Sequence, residues 1–176
     1  MIEAANERLA AVTSVAYANV DLAFTLDPPE VDDVSRAHVV AVTPAGDVVV
    51  CRSVEEWRFL PGGTREPGES VRDLVARELS EEAGCALTGE PRFLGRHVAT
   101  SRSPAPYRPH LPHPVASWAY FTVPAEVAGE PLNPPDGESV VEVLTLAPEA
   151  AAKWLREHDP IHADVVLLAV ESGLLS

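Results

Sequence analysis

Gly63-Thr-Arg-Glu-Pro-Gly-Glu-Ser-Val-Arg-Asp-Leu-Val-Ala-Arg-Glu-Leu-Ser-Glu-Glu-Ala-Gly-Cys85 is the stretch that decides how this chain is read. Ser70 to Ala83 contains no proline or glycine, so the pattern predicts a helix there, and Gly84 stands where a left-handed residue would stop it. At about 100° per residue, Val71, Leu74, Val75 and Leu79 share one side, the side expected to face a core. With Glu78 as zero, Val71 projects at about +20°, Leu74 at about −40°, Val75 at about +60°, Glu81 at about −60° and Glu82 at about +40°. The acids therefore continue the apolar stripe, as expected of a helix whose last turns leave the core and line a cleft.

Carboxylates near a helix C-terminus oppose its dipole, which favours cations there. At ~5 Å and an effective dielectric of ~20, each like-charge pair costs roughly 3 kcal/mol, and under about 1 kcal/mol when water screens it. Arg77 is placed to pair with Glu81 one turn on, and a divalent cation would relieve far more. A solvated acidic face is the other reading of such a run; the overlap with the apolar stripe argues against it. Gly62 and Gly63 leave the backbone free to turn a carbonyl toward a cation. Glu69, just before the helix, is placed to accept backbone N–H groups or to bond across to Arg77.

Working outward, His38 to Thr43 and Val48 to Arg52 are β-branched runs around Pro-Ala-Gly-Asp and predict a hairpin. Trp57 to Leu60 predicts a short strand, Arg92 to Thr100, Val115 to Val123 and Ser139 to Leu146 longer ones, and Pro148 to His158 and Asp164 to Ser172 helices. Upstream, Ile2, Leu9, Val12, Val15 and Ala16 recur at near-helical spacing, so residues 2 to about 20 predict an amphipathic helix that covers the core or mediates dimerisation. Asp27 to Asp33 is acidic, proline-bearing and linker-like. Interleaved strands and helices indicate an α/β layered domain over residues 36–176, with residues 1–35 as a helical extension and linker.

The 176 residues suit one domain, and 46% apolar with 23% charged residues is ordinary globular usage. A net charge of −14 argues against a nucleic-acid duplex as partner, because phosphate backbones need a basic surface. Phosphorylated small molecules stay open, since a carboxylate-held cation presents local positive charge inside an acidic protein. Cys51 and Cys85 form no CxxC pair and read as reduced core residues, which fits a cytoplasmic location. No secretory signal is evident at the N-terminus, and no apolar run approaches the ~20 residues of a membrane helix.

Gly63-x5-Glu69-x7-Arg77-Glu78-Leu79-x-Glu81-Glu82-x-Gly84-Cys85 resembles the complete Nudix box, departing only at Cys85, where a branched aliphatic residue is usual. Strand order extends the resemblance over roughly residues 36–160. It implies a Nudix-type α/β/α sandwich with a mixed central sheet, and magnesium or manganese bound at the loop-helix-loop. On matching positions, Glu78, Glu81 and Glu82 would ligate metal, Gly62 would offer its carbonyl, and Arg77 would orient the glutamates. The activity implied is hydrolysis of a nucleoside diphosphate linked to another group, with metal-activated water attacking phosphorus. Glu138, in Pro-Pro-Asp-Gly-Glu, is the candidate for a further ligand or base, with Asp136 behind it; a turn-forming surface acid is the other reading of both. A homodimer is compatible with the extra N-terminal helix. Alternatives are a non-catalytic nucleotide-sensing module on the same fold and an isomerase of the isopentenyl diphosphate type; the intact acids favour hydrolysis.

Specificity in this family lies outside the box. Ser103 to Pro114 carries Tyr107, Arg108, His110 and His113, with Tyr107 placed to stack on a base and Arg108 to hold phosphate; proline-rich packing is the competing reading. His110 and His113 are weak as a metal pair. Arg52, Arg58, Arg96 and Arg102 are further phosphate-contact candidates.

Overall fold

The computed structural model describes residues 2–175. In chain order it contains α1 (Ile2–Ala11), β1 (Ser14–Val15), β2 (Val20–Thr25), a short 3-10 turn (Val31–Asp33), β3 (Val34–Val42), β4 (Val48–Ser53), β5 (Arg58–Phe59), β6 (Gly62–Thr64), α2 (Val71–Glu78) continued by a π-helical turn (Leu79–Ala83), β7 (Cys85–Leu87), β8 (Arg92–Ser101), β9 (Val115–Val127), β10 (Val140–Leu146), α3 (Pro148–Arg156) and α4 (Pro160–Glu171).

The strands follow the order β1-β2-β8-β9-β3-β4-β10, with β5 on β4, β6 on β3 and β7 on β9. β3 and β9 run parallel, Val39 opposite Phe121, and the other pairs are antiparallel, so the sheet is mixed. Alternation sorts side chains to its two faces. Val40, Val48 and Val50 pack with Leu9, Leu155, Val166 and Leu168 of α1, α3 and α4. Val39, Ala41, Val49 and Cys51 pack with Leu74, Val75 and Leu79 from α2 and its π turn. The expected α/β/α sandwich is the fold observed. β3 and β4 read as near-continuous apolar runs because both of their faces are covered.

The N-terminal region differs from the helix expected over residues 2 to 20. α1 ends at Ala11, and Val20–Thr25 pairs with β8, Val20 opposite Ser101 and Thr25 opposite Arg96. Val20 and Leu22 are buried while Asp21 and Ala23 are exposed, the period of a half-covered strand rather than of a helix. α1 covers the core: Ala5 and Leu9 are wholly buried, Arg8 Nε bonds Asp164 Oδ1 at 2.6 Å, and the Leu9 carbonyl meets His97 Nε2 at 3.1 Å. α4 begins four residues before its predicted start, at Pro160, because Asp159 caps it by accepting the His162 N–H. β7 was not predicted; its three residues are held by β9. Cys51 and Cys85 are free and buried, as expected. Among the described residues no helix is long and apolar enough to cross a membrane.

Candidate active site

The box helix begins at Ser70 and stops at Gly84 as expected, but its path between them differs. Ser70 caps it, its hydroxyl accepting the Asp73 N–H at 3.1 Å. After Glu78 the regular α pattern gives way to a π turn, which Gly84 ends at φ 60 in the left-handed region. A π turn frees carbonyls from the helical ladder, and their partners come from outside. Leu132 N–H reaches the Ser80 carbonyl, Asn133 N–H the Glu81 carbonyl at 3.0 Å, and the Cys51 thiol the Glu82 carbonyl at 3.5 Å. The irregular turn puts Glu78 and Glu82 almost wholly inside, 7% and 6% exposed, and leaves Glu81 half-buried.

Arg77 organises the acids. Its Nε and Nη2 grip both oxygens of Glu69 at 2.7 and 3.1 Å, Nη1 reaches Glu78 Oε1 at 3.0 Å and Glu81 Oε2 at 3.2 Å, and Nη2 also donates to the Thr64 carbonyl. Glu69 accepts the Glu66 N–H as well, so both uses foreseen for it are realised. Burial raises the Glu69 carboxyl, yet the Arg77 bonds and the Glu66 N–H outweigh it and hold the group below its ordinary range. Arg77 is pushed the other way, foremost by its bonds to Glu69, and stays a cation.

Gly62 and Gly63 are required by close approach. A Cβ on Gly63 would collide with the Glu78 carboxylate, and one on Gly62 would lie 2.6 Å from His38 Cα and collide with the Ala37 carbonyl. This contact lets β6 run beside β3 while the helix crosses it. The Gly62 N–H donates to Glu82 Oε2 at 2.9 Å. Burial pushes Glu82 well above the ordinary carboxyl range, reinforced by Glu78 and Glu138 and only partly offset by Gly62. Glu78 is raised foremost by burial too, against the pull of Arg77.

Glu82 and Gly62 lie in the wall of a cavity of about 530 Å³ that also holds Glu138, Arg36, His38, His162 and Trp57. Glu138 is thus brought to Glu82; Asp136 is exposed and is not part of the cavity lining. The Glu138 loop is tied to the box helix by Asn133. Its backbone bonds Glu81, and its side chain exchanges two bonds with Val140, Nδ2 to the carbonyl at 2.9 Å and N–H to Oδ1 at 2.8 Å. Asn133 was not singled out from sequence, where it looks like any turn asparagine.

The donor set suits a hard divalent cation: three carboxylates, Glu69, Glu78 and Glu81, share a single guanidinium while Glu82 has only the Gly62 N–H, and Glu78 and Glu82 are charged only at the expense of burial. Among the described residues, however, no three His, Cys, Asp or Glu side chains converge on one metal-sized point. Glu78 and Glu81 converge on Arg77 Nη1 instead.

The remaining candidates are mostly engaged elsewhere. Arg108 pairs with Glu66 at 2.9 Å, Arg52 with Glu56 and Glu142, and Arg96 with the Asp27 carbonyl and Ser117 Oγ. Arg102 lies 3.7 Å from Asp21. Arg58 pairs with Glu157 while lining the cavity. His110 and His113 bond separate carbonyls, of Arg65 and Ser103, and do not form a pair. Tyr107 is exposed. Arg36, overlooked in the sequence, lies in the cavity wall with its guanidinium over Trp118 at 4.7 Å.

The NUDIX domain model matches residues 32–168. No curated protein matches the chain. Among solved structures, the chain is similar to the Bacillus subtilis pyrophosphohydrolase BsRppH, with TM-score 0.63 and 16% identity over 91% of this chain and 96% of that one. It is also similar to RenU, a Nudix hydrolase from M. smegmatis, with TM-score 0.51 and 16% identity over 81% and 87% of the chains. For a NUDIX hydrolase from Nitrosomonas europaea the values are 0.52 and 18% over 78% and 90%. Identities this low speak to the fold alone, whereas the family model spans most of the chain and includes the whole glutamate cluster. The chain therefore belongs to the NUDIX domain family, and the hydrolase class expected from its box is that of its family.

Proposed function

We propose that the chain is a magnesium- or manganese-dependent pyrophosphohydrolase that cleaves the phosphoanhydride of a nucleoside diphosphate linked to another group. One observation carries this reading: Arg77 gathers Glu69, Glu78 and Glu81 beside the buried Glu82, whose cavity also takes in Glu138 and Arg36. Glu78, Glu81 and Glu82, with the Gly62 carbonyl, would hold the cation. The chemistry supplied there when it is bound is charge stabilisation at phosphorus and acidification of water.

The chain's own residues do the rest. Arg77 positions the glutamates, and Glu69 fixes Arg77. The Gly62 N–H holds one oxygen of Glu82, leaving the other to face the cavity. Glu138, at the same cavity, takes the proton of the attacking water as a bond forms to phosphorus and the anhydride P–O bond breaks. The partner is a small nucleotide-derived molecule, consistent with an acidic surface that suits neither a duplex nor an anionic membrane.

The test is a panel of nucleoside triphosphates, ADP-ribose, nucleotide sugars, dinucleotides and coenzyme A, assayed for phosphate-containing products with magnesium or manganese. Turnover of at least one, lost on chelation, is expected. No turnover of any, with thermal stability unmoved by either metal, would remove the hydrolase reading and leave a nucleotide-sensing module.

A further inference from the structure

His162, in the first turn of α4, meets the box through the backbone that leads into it. Its Nδ1 accepts the Leu60 N–H at 3.0 Å, in the segment Leu60-Pro61-Gly62 that ends at the N–H holding Glu82. Asp159 places the ring by capping α4, its Oδ1 accepting the His162 N–H at 3.0 Å. Asp159 Oδ2 also lies 3.2 Å from Nδ1, but the hydrogen bond at that nitrogen is the one from Leu60. A ring nitrogen that accepts an N–H carries no proton of its own, so the neutral ring bears its proton on Nε2. Burial, foremost, keeps the ring neutral; Asp159 opposes this and Arg36 adds to it.

That Nε2–H is unused. His162 is 7% exposed, yet its Nε2 has no partner among the described residues and is not sealed from solvent, so it opens on the cavity of Glu82 and Glu138 that the ring lines. His38 packs against the ring, centroids 4.5 Å apart, and forms no hydrogen bond with it. Two more idle donors line the same cavity: the Nε atoms of Arg36 and Arg58 are buried and lack acceptors. Arg36 also lines a neighbouring cavity of about 520 Å³, whose described lining has no Asp or Glu. Glu82, Glu138 and Asp159 serve cations and water. What three N–H donors lack, two of them on guanidinium groups, is a negatively charged oxygen from outside the chain.

Resting on the hydrolase reading above, we propose that His162 is a ligand-contacting residue of this site, a neutral donor whose Nε2–H binds a phosphate oxygen of the substrate while its Nδ1 holds Leu60. It donates a hydrogen bond and keeps its proton. A donor whose tautomer is locked by the backbone needs no reorganisation when a charged oxygen arrives. Unlike an arginine, it brings no positive charge to compete with a cation for Glu82. The same ring ties α4 to the turn carrying Gly62, so its two nitrogens serve separate ends.

The two nitrogens can be removed one at a time. Asparagine matches the reach of Nδ1 and glutamine that of Nε2, so His162→Asn keeps an acceptor for Leu60 and loses the ligand donor, while His162→Gln does the reverse. Long-range proton–nitrogen NMR of the full chain at about pH 7.5, with His162 identified by the signal missing in His162→Asn, should show Nδ1 bare and Nε2 protonated. Methylenediphosphonate with magnesium should shift Nε2, and adenosine should not. By calorimetry, affinity for the diphosphonate is expected to fall about tenfold in His162→Asn and about threefold or less in His162→Gln, whereas thermal stability should fall further in His162→Gln. A proton on Nδ1, an Nε2 signal that ignores the diphosphonate or follows adenosine instead, or equal diphosphonate affinity in wild type and His162→Asn would overturn the inference, and would leave the hydrolase reading to the substrate panel. An Nε2 response to the diphosphonate in a chain that turns over nothing on that panel would keep the His162 contact and remove the hydrolase reading.

Discussion

Arg77 grips Glu69 through two hydrogen bonds, Nε to Oε1 at 2.7 Å and Nη2 to Oε2 at 3.1 Å, across eight residues of sequence. The pair closes the loop before the helix onto the helix itself. Its remaining donor, Nη1, is thereby aimed at Glu78 and Glu81.

Arg77→Lys keeps the charge and loses the fork, so Glu69 and the two glutamates can no longer be held together. Turnover should fall about 10- to 100-fold, and Glu69→Gln should lose a similar amount. Steady-state kinetics with the metal varied would check this, with the loss shared between metal affinity and kcat.

Glu82→Gln keeps an oxygen for the Gly62 N–H and removes a buried charge. Metal-free thermal stability should be equal or higher, while turnover drops more than about a hundredfold. Near-normal rates in this variant would mean that Glu82 does not serve the cation.

Gly63→Ala places a methyl group against the Glu78 carboxylate. Overpacking of this kind costs about 1–3 kcal/mol and must displace the helix or the carboxylate. Titration of magnesium or manganese by calorimetry, alongside denaturant melts, should show weakened binding as well as lower stability.

His38, His97 and His162 are all lowered from the ordinary value of 6.5, foremost by burial. His97 Nε2 donates to the Leu9 carbonyl, so its Nδ1 accepts from the Tyr120 hydroxyl, an arrangement that requires the neutral ring. Because the unfolded chain binds these protons more readily, stability is full above about pH 6.5 and falls as pH drops toward the lowered folded values. Glu78 and Glu82, raised in the folded chain, push the opposite way, adding stability as pH falls through their raised values toward the ordinary 4.5. Urea melts of the wild type and His97→Gln between about pH 8 and 5.5 should give a shallower pH dependence in the variant.

Asn133→Ala breaks the two bonds to Val140 and frees the Glu138 loop while leaving its own backbone bond to Glu81. A loss of about 1–2 kcal/mol in stability is expected. The kinetic loss should be reproduced in part by Glu138→Gln, compared through kcat and KM.

The sequence was most legible where local rules act. Ser70, the apolar stripe and Gly84 mark the helix because a cap, a 3.6-residue period and a left-handed stop are properties of a few adjacent residues. Val20–Thr25 escaped because its alternation is short and its partner, β8, lies some seventy residues away. The π turn escaped for a similar reason: it is stabilised by Leu132, Asn133 and Cys51, none of them local to it. The even 100° projection of the acids therefore gave the correct face but not the path by which Glu82 reaches the interior.

The sequence by itself determined the family, the layered fold and the glutamates, because one dense motif has all its spacing within a single helix and its entry loop. Tertiary structure decided which charges are spoken for. Arg108 and Arg52 look available in sequence and are paired, while Arg36, unremarkable at the start of a strand, has its donors unused between two cavities. Whether a side chain has a partner depends on what the fold brings to it across the sheet, and no local pattern encodes that.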